Sequence, residues 1–186
     1  MVFLVVGGWV VATYNQLARG RIRAGNSLSQ IDVQLKRRCD LIPNLVEAVK
    51  GYMTHERQTL EAVISARNSA VAGLRALHDA PRDSTVIRSL AGMSGALDQL
   101  LMQLSVSIER YPDLKASTNV LALQEELVST ENRIAFARQA YNDAVMTFNT
   151  NIAVFPSSLV AAMFGFVVMT LFETDTASRA VPEVKF

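Results

Sequence analysis

Apolar residues recur at spacings of three and four from Leu17 almost to Phe155, the period of helices that bury one side against neighbours. Outside that stretch the pattern changes: no charged side chain precedes Arg19, and none lies between Asp143 and Glu173. The spacing predicts four long helices. The first carries Leu17, Ala24, Leu28, Ile31 and Leu35, with Arg21 interrupting the stripe. DLIPN, residues 40–44, reads as a break with Asp40 as a candidate cap, because proline lacks an amide donor and pushes the preceding residue out of helical geometry. A mere kink is the rival reading.

A chain reversal at Ile42 and Pro43 starts a second helix through Leu45, Val49, Tyr52, Met53, Leu60, Val63 and Val71. It runs to HDAPRDS, residues 78–84, where Asp83 or Ser84 caps the next helix. The third has the cleanest seam, Val86, Leu90, Met93, Leu97, Leu100, Leu104, Ile108 and Tyr111, and YPDLKAS closes it. The fourth carries Val120, Leu123, Leu127, Ile134, Tyr141, Val145, Phe148, Ile152 and Phe155.

Short turns favour antiparallel neighbours, so the expected fold is all-α: an antiparallel up-and-down four-helix bundle over residues 19–154. An even number of traverses returns the chain to its starting pole. The two charge-free segments meet there. Residues 1–18 would span about 27 Å as a helix, close to the hydrocarbon thickness, and read as a transmembrane anchor. A cleaved signal peptide is the competitor, disfavoured because no basic residue precedes the apolar run. Arg19, Arg21 and Arg23 follow at once, and the positive-inside bias puts the bundle on the cytoplasmic side of the inner membrane as a single-pass protein. Residues 155–172 read as an interfacial or re-entrant segment, with a second span or an apolar lid as alternatives, and residues 173–186 as a polar tail. The side chains expected at lipid are Phe3, Leu4, Trp9, Phe155, Leu159, Phe164, Phe166 and Phe172.

Composition narrows the chemistry. A net charge of +1 over 186 residues leaves no electrostatic footprint for nucleic acid, and a lone cysteine, Cys39, forms no internal disulfide. His55 and His78, the only histidines, both fall on the expected second helix and cannot face each other across a bundle. No phosphate loop, nucleophile elbow or Glu-x-x-His motif occurs, so no catalytic, cofactor or metal residue is assigned, and no small-molecule substrate is expected. Glu125, Glu126 and Glu131 read as a solvated face with Arg133 and Arg138. Lys36, Arg37, Arg38 and Asp40, in the densest charge cluster, are the candidate docking residues.

SQIDVQLKRRCDLIPNLVEAVKGYMTHE, residues 29–56, resembles the signature block of the LemA family, and FNTNIAVFPSSLVAAMFGF, residues 148–166, is similar to its second block. The resemblance implies a short extracytoplasmic N-terminus, one membrane helix and a soluble bundle of four helices, and it carries over no catalytic residue. Two positions depart from the pattern: Cys39 replaces an aromatic Tyr, and Val167 with Val168 replace a common Lys-Pro pair. The second makes the tail more lipid-soluble.

The expected role is a membrane-anchored scaffold or adaptor whose partners are the bilayer and other membrane-protein subunits or further copies of itself. A helical sensor signalling through a separate partner is the alternative. An enzyme is the third class, disfavoured by the missing motifs.

Overall fold

A computed structural model of the chain describes residues 1–173; the polar tail, Glu173 apart, lies outside the described residues. Among these the protein is all-α, with helices α1 (Val2–Val49), α2 (Arg57–Asp79), α3 (Ser84–Ile108), α4 (Pro112–Ala116), α5 (Thr118–Ala153) and α6 (Ser157–Met163).

The expected break at Asp40 to Pro43 is absent. Helix α1 runs on to Val49 with Pro43 inside it, and the chain turns at residues 50–56 instead. Leu45 and Val49 therefore belong to α1, Tyr52 and Met53 to the turn, and the second helix starts at Arg57. His55 also sits in the turn, leaving only His78 on α2. Two effects keep Pro43 helical. Its missing amide orphans the Cys39 carbonyl four residues back, and Arg67 Nε of α2 donates to that oxygen at 3.0 Å. Ile42, Leu45 and Val49 are buried on either side of it. Roughly 1.5 to 3 kcal/mol for each such side chain outweighs the penalty of about 3 kcal/mol for proline in a helix interior.

This rescue is testable. Arg67→Ala should lower stability by about 1 to 2 kcal/mol, the cost of leaving a buried carbonyl unbonded. Pro43→Ala restores an amide for the Cys39 carbonyl and should recover most of that loss. Chemical denaturation of both single variants and the double variant reads the coupling.

Two compact units divide the described residues: residues 1–34 with 132–171, and residues 35–131 with Phe172 and Glu173. Helices α1 and α5 contribute to both. In the second unit α2 and α3 pack on each other across a connection at residues 80–83. Gly73 allows the close approach: a Cβ there would meet Met93 Sδ at 3.0 Å and Leu90 Cδ1 at 3.1 Å. Helix α3 starts as expected, with the Asp83 carboxylate accepting from the Thr85 amide at 2.7 Å. That bond holds the Asp83 carboxyl below its ordinary value. Leu90, Leu97, Leu104 and Ile108 of its predicted seam are buried. YPDLKAS folds as the single-turn α4, which opens on Pro112 and buries Leu114.

In the first unit the expected stripe of α1 is buried from Leu17 through Ile31. Helix α5 stops at Ala153, so Phe155 falls beyond it, next to a cis bond to Pro156. No single described helix is long and apolar enough to cross a membrane; α5 and α6 pass that test only as a pair bent by 94°.

Candidate functional site

The charge cluster of α1 separates into three fates. Lys36 and Asp40 pair along the helix surface at 2.8 Å. Arg37 reaches across to Glu126 of α5. Arg38 is 1 % exposed, so it is not a docking residue. Its guanidinium donates to Ser94 Oγ at 2.8 Å, to Glu131 at 2.8 Å and to Asp98. Burying an arginine is tolerable only with such partners, because an unpaired charge in a low dielectric costs several kcal/mol. Its Nε alone has no hydrogen-bond partner among the described residues.

Glu131, expected on the solvated face of the last helix, is one of these partners, and Asp98 and Ser94 went unmarked in the sequence. Both lie on α3 among apolar residues, at positions where a charge run gives no signal. Arg38, Asp98 and Glu131 border a cleft of about 300 Å³ whose other walls include Leu45, Met102, Leu127 and Val128. Cys39 is buried beside this cluster, and burial pushes its thiol above the ordinary value. Among the described residues, no group of three or more His, Cys, Asp or Glu gathers as a metal site.

The first unit holds the second feature. Leu17, Phe148, Val160, Ala161 and Phe166 form a buried cluster, with Val10 and Ala18 packed against it. Residues of α6 and of α1 thus share one cluster, and the two charge-free segments meet there. The Tyr14 ring stands 4.9 Å from Phe164 and 5.7 Å from Phe166, and the Arg21 guanidinium sits 5.1 Å from the Phe166 ring centre. Gly165 ends α6 in the left-handed region at φ 68°; the Phe166 amide returns to the Ala161 carbonyl at 2.9 Å, the Schellman closure. From there the chain runs back along α5 without forming a helix. The Asn149 side chain donates to the Met169 carbonyl at 2.8 Å and accepts from its amide at 2.9 Å. The Tyr141 hydroxyl donates to the Thr170 carbonyl at 2.7 Å, and burial pushes that phenol up to about 12. Asn149→Ala should detach this return segment at a cost of about 2 kcal/mol for two hydrogen bonds, read as faster hydrogen exchange at the Met169 amide.

Six of the eight side chains expected at lipid face outward. Phe3 and Phe155 are 92 % and 80 % exposed, and Leu4, Trp9, Leu159 and Phe164 are also uncovered. Phe166 and Phe172 are not; both are packed in the interior. Val167 and Val168 are exposed.

The chain matches the LemA family over residues 27–186. It is 26% identical over 169 residues to Protein LemA of Metamycoplasma hominis, covering 91% of this chain and 73% of that protein. It is 32% identical over 79 residues to Magnetosome protein MamQ 2 of Paramagnetospirillum magneticum, covering 42% of this chain and 29% of that one. A third relative, Magnetosome protein MamQ of Magnetospirillum gryphiswaldense, is 24% identical over 153 residues, covering 74% and 56%. The chain therefore spans little more than half of the magnetosome relatives at most. The family match covers both sequence blocks, the buried Arg38 and the α6 turn, and it extends over most of the length, so the chain belongs to the LemA family.

Proposed function

We propose that this protein is a membrane-anchored helical bundle that serves as a scaffold or adaptor subunit of a larger membrane assembly, without catalysis of its own. The observation that carries this reading is the start of α1. Met1 to Trp9 are exposed on every side although most are apolar, and a helix apolar all round finds its low-energy surroundings in hydrocarbon. The anchor holds the bundle on the cytoplasmic side, with Arg19, Arg21 and Arg23 at the headgroups. The long helices α1, α2, α3 and α5 offer the surface for a partner, and confinement to the bilayer raises the effective concentration of that partner without strong contacts. Likeness to proteins named for the magnetosome agrees with a place in a larger assembly.

Crosslinking in native membranes followed by mass spectrometry tests the role. A stable co-complex is the expected result, and an isolated monomer would count against it. One observation favours a second reading: the cleft beside Arg38 is of a size that holds a small ligand, as a helical sensor acting through a separate partner would require.

A further inference from the structure

The packing of α6 on α1 fixes how deeply the protein sits in a bilayer. Leu17 of α1 and Val160 and Ala161 of α6 share one buried cluster, and the Tyr14 ring stands 4.9 Å from Phe164, so an α1 immersed to Tyr14 carries the end of α6 in with it. The outer face of α6 is built for that position. Leu159 and Met163, one turn apart, are exposed together with Phe155 and Phe164 at the two ends of the helix, while Val160 and Ala161 are buried in the cluster. No charged residue from Asp143 to Glu173 interrupts this surface. A surface helix in water would carry polar residues there.

Two limits stop the immersion from going deeper. On α1, Asn15 and Gln16 are exposed directly after Tyr14, and Arg19 follows one turn later. Beyond Gly165 the backbone is irregular with Val167 and Val168 uncovered, and lipid-exposed irregular backbone does not occur within hydrocarbon. Apolar faces on a short helix, polar groups immediately behind them and aromatic rings between describe a segment at the boundary of acyl chains and headgroups.

We infer that this boundary crosses the protein at the level of Tyr14 and Phe164, with Phe155, Leu159, Met163 and Phe164 seated in the same leaflet through which α1 enters. The inference rests on the anchored reading above. Under it Leu17 and Ala18 are protein core, not lipid contacts, and Trp9 lies about 7 Å deeper than Tyr14.

Trp9 is the only tryptophan, which allows a depth measurement on the full chain. The protein is reconstituted into phosphatidylcholine vesicles whose acyl chains carry bromine either near the headgroup or near the chain end. Emission is compared for the native chain, for Trp9→Phe with Leu159→Trp, for Trp9→Phe with Phe164→Trp, and for Trp9→Phe with Arg88→Trp, on an exposed position of α3, as the aqueous reference. Shallow bromine should quench the two reporters about twofold and deep bromine less, as expected for side chains at the boundary of acyl chains and headgroups. Trp9 should be quenched more by deep bromine than either of them, and the reference by neither. Circular dichroism of each variant checks that the helices are retained, and using two α6 positions guards against one that disturbs packing. Quenching of Trp9 with both α6 reporters behaving like the reference overturns the inference and leaves the anchor standing. No quenching of Trp9 overturns the anchored reading itself, and the depth assignment falls with it. Deep bromine acting on the α6 reporters as strongly as on Trp9 replaces the boundary position with a re-entrant one.

Discussion

Val5→Asp should release the protein from membranes. A carboxylate in the middle of an inserted apolar helix costs about 2.5 to 3.5 kcal/mol, and the lost valine adds a few tenths. At 1.4 kcal/mol per factor of ten, that is on the order of a hundredfold weaker partition. Flotation with liposomes measures it directly, and the same change at exposed Val106 of α3 is the control that should float like the native protein. Val5 touches nothing that a fold depends on, so its replacement separates anchoring from stability. Unchanged flotation of the Val5 variant would remove the ground for a membrane role.

Arg38→Ala should be the most damaging single change to the second unit, at about 3 kcal/mol. Removing it leaves Asp98 and Glu131 facing one another without their shared cation and opens a void at the junction of α1, α3 and α5. Both carboxylates are partly exposed and recover some hydration, which keeps the loss at the lower end of the range for buried ion pairs. Arg38→Lys should recover little, because a single ammonium cannot meet Ser94, Asp98 and Glu131 from two separate nitrogens as the guanidinium does. Lys36→Ala, two residues away on the surface, should leave the urea midpoint where it is. Equal midpoints for the Arg38 and Lys36 variants would show that the buried cluster carries no stability.

The sequence revealed best whatever depends on neighbours close along the chain. The Asp83 cap, the stripe of α1 and the part of the α3 seam at Leu90, Leu97, Leu104 and Ile108 are local hydrogen bonds and local periodicities, and they appear where the spacing puts them. The meeting of the two apolar ends was legible as well, since it follows from counting traverses. What escaped depends on residues far apart. Pro43 stays helical because the Arg67 side chain, 28 residues on from Cys39, replaces the hydrogen bond that the Cys39 carbonyl loses, so a local rule about proline gave the wrong turn. Arg38 looked like its neighbours in a run of charges; only partners 56 to 93 positions distant decide that it faces inward while Arg37 and Lys36 do not. Phe164 and Phe166 were indistinguishable as letters, yet the left-handed turn at Gly165 sends one out and the other in. Of the two candidate features, the apolar cluster could be read from composition and the ionic one around Arg38 could not.

The shielding of Cys39 gives this molecule a built-in clock. A sulfur so covered, and further from its reactive thiolate form because of that covering, cannot meet an alkylating reagent until the helices around it part. With no other cysteine in the chain, the rate at which iodoacetamide modifies the native protein counts opening events in that unit. The Arg38, Lys36, Arg67 and Pro43 variants, all in that unit, can each be timed this way without attaching a label.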